Sequence, residues 1–389
     1  MPESGIEPFT IRVADAQLAD LRDRLSRARW PEAEPVGDWS QGVPIASLQA
    51  LCEHWQHRYD WRRCEAMLNA WDPQRTEIDG LGIAFHHIRS PEPDALPVIM
   101  THGWPGSVVE FNKVVGPLTD PAAHGGRRED ALHLILPHLP GYGFSDKPAE
   151  TGWSLPRIAD AWIELMRRLG YGDRWGTQGG DWGAAVALAI ADKAPAGCVG
   201  CHFNLAFVQP TPEQVVNADP KERAILDRLK LFDKEQSGYA KEQSTRPQTI
   251  GYALADTPIG QAAWIYEKFY EWTDNDGSPE TVLSLDELLD NITLYWLTNS
   301  GASSARLYWE SLAQLDTGQR IEMPVAFSVF PKENVRTSRR WADSKYANIA
   351  YFNDAIARGG HFAAFEQPAV FVDEVRAAFR AMRPRRSEA

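Results

Sequence analysis

The sequence predicts an α/β fold: a mostly parallel central sheet covered by helices, with a helical lid insertion and an N-terminal helical arm. Three observations lead there. From about residue 95, short apolar strand-like runs alternate with helical stretches. The alternation breaks between about 209 and 310, where the chain reads as helical, polar and aromatic, and then it resumes. The residues before 95 have a different texture, helical and then hairpin-like. The expected units are therefore 1–94 (arm and meander), 95–208 (first part of the core), 209–309 (lid) and 310–389 (second part of the core).

In the arm, Asp15 is a plausible N-cap for a helix over 16–29, with Leu18, Leu21 and Leu25 on one face. A second helix begins after Ser47 and places Leu48, Leu51, Trp55 and Tyr59 on one stripe. Thr76–Ile78 and Ile83–His87 alternate like strands around Asp79-Gly80, a hairpin signal. In the core, strands are expected over Leu96–Thr101, Leu132–Pro137, Arg174–Gln178, Cys198–Leu205, Val325–Phe330 and Ile349–Phe352. Ile158–Leu169, Ala184–Ala194 and Ala369–Met382 read as the helices between and after them. Within the insertion, Lys221–Leu231, Ile259–Trp272 and Leu285–Leu297 are helical, and insertions over the carboxyl ends of strands often form lids.

Composition narrows the function. With 40 Lys+Arg against 53 Asp+Glu among 389 residues, the net charge is −13, which argues against a nucleic-acid partner. The longest apolar run, Ala184 to Ala191, is eight residues, against the ~20 needed to span a bilayer. The start of the chain has neither a basic nor an apolar signal region, so a cytoplasmic protein without a membrane anchor is expected. Four scattered cysteines do not make a disulfide framework. Cys198-Val-Gly-Cys201-His202 spells the c-type haem pattern but sits in a buried strand of an unexported chain, so ordinary buried thiols are expected there. No Cys/His spacing suggests zinc, and no cofactor is expected. Fifteen Trp point to an aromatic-walled cavity or an aromatic interface, and the latter leaves room for a homo-oligomer.

Three segments lie just after predicted strands, where open α/β sheets build their sites. Gly179-Gly180-Asp181-Trp182-Gly183 follows a strand and opens an Ala-rich helix. It is the nucleophile-elbow pattern with Asp in the nucleophile position. A carboxylate needs no base to activate it, since its ordinary pKa is about 3.9. An Asp that merely caps the helix is the alternative. His102-Gly103-Trp104-Pro105-Gly106-Ser107 follows the first core strand and suits half of an oxyanion hole through the Trp104 amide, with the Trp182 amide as the other half. Gly359-Gly360-His361-Phe362 follows the last strand, and His361 fits the nucleophile–acid–His order. Glu333, just past Val325–Phe330, is the expected acid, with Asp343 and Asp354 as competitors. Leu139–Asp146 carries glycines but lacks G-x-G-x-x-G, so it is not a dinucleotide site.

Taken together these motifs resemble the microsomal type of epoxide hydrolase, within the α/β-hydrolase superfamily. The resemblance extends to Pro8-Phe9 through Trp30-Pro31, Trp61-Arg62, Gln243-Ser244-Thr245-Arg246-Pro247 and Gly251-Tyr252-Ala253-Leu254. It implies hydrolysis of an epoxide to a vicinal diol through an Asp181 ester, with water activated by His361 and Glu333. It also implies that Tyr239, in Ser237-Gly238-Tyr239, and Tyr308, in Ser304-Ala305-Arg306-Leu307-Tyr308, donate to the epoxide oxygen. A haloalkane dehalogenase with the same nucleophile, and a non-catalytic binding protein on this fold, are the alternatives.

Overall fold

The computed structural model describes residues 5–315 and 318–383. One nine-stranded sheet runs through them in the order β1-β2-β3-β5-β4-β6-β7-β8-β9. Its strands are β1 (Ile6–Pro8), β2 (Pro73–Ile78), β3 (Leu81–Ile88), β4 (Leu96–Thr101), β5 (Leu132–Pro137), β6 (Trp175–Gly179), β7 (Cys198–Phe203), β8 (Val325–Ser328) and β9 (Ile349–Asn353). From β5 to β9 neighbouring strands are parallel, and β1 to β3 are joined antiparallel at one edge. The expected α/β class holds, and every expected core strand forms within a few residues of its expected limits.

The edge strands modify the expectation of an arm that only docks. β2 and β3 turn through Asp79 and Gly80, both at positive φ (51° and 75°), and β3 pairs with β5. The strands of residues 6–88 are thus continuous with the core sheet. The first arm helix, α1, spans Asp15–Ser26 rather than 16–29. Asp15 is its first residue and not its cap: Ala14 holds that position, with the Gln17 side chain reaching back to its amide. Helices α2 (Ile45–His57) and α3 (Trp61–Asn69) bury Leu48, Leu51, Trp55 and Trp61.

Core helices cover the sheet. α4 (Asn112–Thr119) follows β4, α5 (Leu155–Arg168) follows β5 and α6 (Asp181–Lys193) follows β6. Ile158, Trp162 and Leu165 of α5 are fully buried, at the i, i+4, i+7 spacing of a core face. Between β7 and β8 come α7 (Pro212–Val216), α8 (Pro220–Leu231), α9 (Gly238–Thr245), α10 (Pro247–Asp256), α11 (Pro258–Trp272), α12 (Leu285–Leu297) and α13 (Gly301–Ser311). Periodicity alone reveals α8, α11 and α12. The polar, short α9 and the small-residue α13 escape it, because neither carries an apolar stripe of its own. The chain closes with α14 (Arg339–Lys345), α15 (Ala363–Glu366) and α16 (Pro368–Met382).

The arm grips the lid. Trp39 stacks on Tyr270 of α11, with centroids 4.0 Å apart. Arg63 of α3 reaches both oxygens of Asp290 in α12 at 2.7 Å, and Tyr59 donates to the same carboxylate at 2.8 Å. Among the described residues no helix is long and apolar enough to cross a membrane.

The core also buries several neutral histidines. Burial pushes His86 and His202 down to about 3 and His87 and His102 to about 4, and it holds His138 well below the usual range. In the unfolded chain each would take up a proton near pH 6.5, while the folded state refuses it. Stability contributed this way is present above pH 6.5 and falls as the pH drops toward 4. His86, fully buried, should account for about 1.4 kcal/mol per pH unit of that slope. Denaturant melts from pH 7 to 5 should show the slope, and His86→Leu should flatten it by that amount. Equal slopes for the two proteins would contradict the assignment.

Candidate active site

The strand order places β4 between β5 and β6, so the loops leaving β4 and β6 diverge over a shared crevice. Thr101 at the end of β4 is in register with Gly179 at the end of β6. That pairing brings the Trp104 loop against the Asp181 turn. Asp181 takes the left-handed conformation (φ 48°), unfavourable for a side chain and held here by close packing. A Cβ on Gly183 would lie 1.8 Å from the Thr101 carbonyl oxygen, and one on Gly103 would lie 2.3 Å from the Asp181 side chain. Neither position admits another residue without moving the turn.

Asp181 is the first residue of α6, and Gly180 holds the cap position. Its Oδ1 accepts the Trp104 N–H at 2.7 Å, across 77 residues of sequence. The Trp182 N–H also bonds the carboxylate, so the two expected amides converge on one group. Burial raises the Asp181 pKa, while the neighbouring His361 and the two amides pull it back.

His361 and Glu333 come together as expected. The ring Nδ1 lies 3.0 Å from both Glu333 oxygens, and Nε2 lies 3.5 Å from Asp181 Oδ2. Glu333 is buried, and its Oε1 accepts the Asn334 N–H at 2.6 Å. Burial opposes protonation of His361. The Glu333 charge and hydrogen bond, with the charges of Asp181 and Glu110, outweigh it and push the imidazole up to about 9. The competing acids are elsewhere: Asp343 pairs with Arg339 at 2.9 Å, and Asp354 lies 3.7 Å from Lys221.

The loop that carries His361 is tied to the end of α11. The His361 N–H donates to the Trp272 carbonyl at 2.8 Å, and the Gly359 N–H donates to Asp274 at 2.9 Å. Glu366, buried in α15, accepts from the Asp274 amide at 2.7 Å and the Phe362 amide at 3.1 Å. Gly359 sits at φ +115°, which this turn requires of a glycine.

Tyr239 of α9 and Tyr308 of α13 are 69 residues apart in sequence, yet their rings meet with centroids 5.7 Å apart. Both border a cavity of about 140 Å³ that also reaches Asp181, Trp182, Trp272, Glu333 and His361. Phe207, Phe232, Leu312 and Leu315 make the rest of its wall apolar. Trp104 stacks on Tyr239 at 4.8 Å and meets Tyr308 edge-on at 5.8 Å. The buried Tyr308 hydroxyl lacks a hydrogen-bond partner among the described residues. Burial first, then surrounding charge including that of Asp181, holds both phenols well above their usual pKa, so both stay protonated.

Trp272, one of the lid tryptophans expected at a substrate cavity, lies 4.9 Å from the His361 ring and 5.2 Å from Tyr239 and lines the cavity. One neighbour of the site escapes sequence reasoning: Glu110 lies near Asp181 and His361, and its signal is an acid inside the apolar run Val108-Val109-Glu110-Phe111.

Comparisons with known proteins identify the family and the fold. Residues 6–111 match the family described as the epoxide hydrolase N terminus, and residues 97–254 match the alpha/beta hydrolase fold. A relative from Stigmatella aurantiaca, provisionally described as an epoxide hydrolase, is 56% identical over 97% of this chain and 86% of its own length. Epoxide hydrolase 1 of Sus scrofa is 34% identical over 96% of this chain and 88% of its own. Among solved structures, the Aspergillus niger epoxide hydrolase superposes with a TM-score of 0.88 at 32% identity, covering 97% of this chain and 96% of that one. The juvenile hormone epoxide hydrolase of Bombyx mori gives a TM-score of 0.88 at 30% identity, covering 97% and 94%. With identity at this level over nearly its whole length, the chain belongs to the epoxide hydrolase family of the α/β-hydrolase fold.

Proposed function

We propose that the chain converts a small apolar epoxide and water to a vicinal diol through an ester on Asp181. The observation that carries this reading is one carboxylate facing three kinds of partner. Two amides bond the carboxylate, the Trp104 N–H at Oδ1, while His361 stands at Oδ2 and two protonated phenols share the cavity with it. Asp181 Oδ2 attacks an epoxide carbon, the C–O bond of the ring opens, and the Tyr239 and Tyr308 hydroxyls donate to the departing oxygen. Esterification removes the Asp181 charge. One of the influences that keep His361 protonated is then lost, so the imidazole is released to act as a base. His361, oriented by Glu333, takes a proton from water, whose oxygen attacks the ester carbonyl. The Trp104 and Trp182 amides hold the oxyanion, a kind of contact worth about 3–4 kcal/mol of barrier for each donor. A haloalkane dehalogenase would need halide-binding N–H donors where the two phenols stand. Free buried thiols at Cys52, Cys64, Cys198 and Cys201 are in keeping with a reducing compartment such as the cytoplasm.

Each half of the reaction has its own test. His361→Gln should still form the ester and should fail to hydrolyse it. Mass spectrometry of the peptide bearing Asp181 should then find the substrate mass added in near-stoichiometric amount; an unmodified peptide after prolonged incubation would overturn the covalent reading. Tyr239→Phe combined with Tyr308→Phe should slow ester formation by about 10²–10⁴-fold. Unchanged diol formation in that double variant would remove the phenols from the chemistry. On acidification ester formation should fall as Asp181 is protonated, from a pKa raised by burial. In single turnovers ester hydrolysis should rise with pH as His361 loses its proton, and a flat profile would exclude it as the base.

A further inference from the structure

The reaction as derived leaves unused an acid beside the nucleophile, the half-buried Glu110. Glu110 lies in the short turn Val108–Phe111, six residues after Trp104. A second cavity, of about 20 Å³, shares Asp181 and His361 with the larger one but is otherwise walled by different residues, among them Gly103, Trp104, Gly106 and Glu110. That volume suits one water, which needs roughly 10–15 Å³ and two or more polar partners. Asp181, His361 and Glu110 supply the partners. The apolar substrate cavity does not include Glu110, so a molecule in the small cavity reaches the ester from a separate compartment.

We propose that Glu110 is a second holder of the hydrolytic water, a role that rests on the Asp181 ester reading. One O–H of the water is directed to the Glu110 carboxyl and the other to His361 Nε2, which leaves the oxygen aimed at the ester carbonyl. The O–H bond to Nε2 breaks as the new bond to the Asp181 carbonyl carbon forms. Collapse of the tetrahedral intermediate breaks the ester C–O bond, and the imidazolium returns its proton to the departing alkoxide. The second proton of the water, left on the new carboxyl group, passes to the imidazole, and diol, carboxylate and imidazolium result. Burial pushes the Glu110 carboxyl up to about 8, with His361 opposing and the Asp181 charge adding to the rise.

Glu110→Gln keeps shape and loses charge. Gly106→Ala is a second, independent perturbation, because its Cβ would lie 3.0 to 3.3 Å from the Glu110 carboxylate and displace it. Stopped-flow fluorescence and rapid-quench mass spectrometry with an aryl epoxide such as styrene oxide resolve ester formation from ester hydrolysis. In both variants ester formation should stay within about twofold of the wild type, while hydrolysis falls by about tenfold or more and ester accumulates at steady state. An equal fall in both steps, as a merely structural role would give, or unchanged hydrolysis in Glu110→Gln, overturns the role of Glu110. Absence of any ester in the wild type would instead overturn the Asp181 reading, and this proposal with it.

Discussion

A carboxylate that is to attack carbon has to stay ionised in a place from which water is largely excluded. Burial works against that charge, and much of the architecture around Asp181 offsets the cost. Two amides bond the carboxylate, a helix begins at the residue itself, and an imidazole stands at Oδ2. These contacts require backbone segments to approach more closely than side chains allow. The glycines at 103 and 183 and the positive φ of Asp181 follow from that requirement. The pairing of Thr101 with Gly179 supplies the rigid frame on which the two loops meet.

The lid completes the compartment from the other side. Trp104 supplies an amide to the nucleophile and a ring to Tyr239, so one residue sets both the oxyanion site and the position of a phenol. Its loop is held in turn by α12: Asn291 donates to the Pro105 carbonyl at 2.7 Å, and Tyr295 donates to the Gly106 carbonyl at 2.8 Å. The same helix is clamped from outside by Tyr59 and Arg63 through the buried Asp290. The arm is therefore three contacts away from the nucleophile. The tryptophans divide accordingly, with Trp104, Trp182 and Trp272 around the site and Trp55, Trp61 and Trp71 in the packing of the arm.

Much of this arrangement is legible in the amino-acid sequence, and the exceptions have physical causes. The elbow, the His102–Ser107 loop and the His361 turn are local signals, because close backbone approach demands glycine at fixed offsets. Glu333 is legible from its distance past a strand. The tyrosines are not legible from pattern, since α9 and α13 meet only through tertiary packing, and only the family resemblance singles them out. Glu110 is harder still. Its significance lies in what it faces across the fold, and a single acid in an apolar stretch says nothing about that.

The central claim is that the oxygen added to substrate comes from Asp181 and that water repays it. One turnover in ¹⁸O-water, with enzyme in excess, tests this directly. The account predicts ¹⁸O in the carboxylate of the peptide carrying Asp181 and an unlabelled diol. Label in the diol, with none in Asp181, would contradict it and point to direct attack of water on the epoxide.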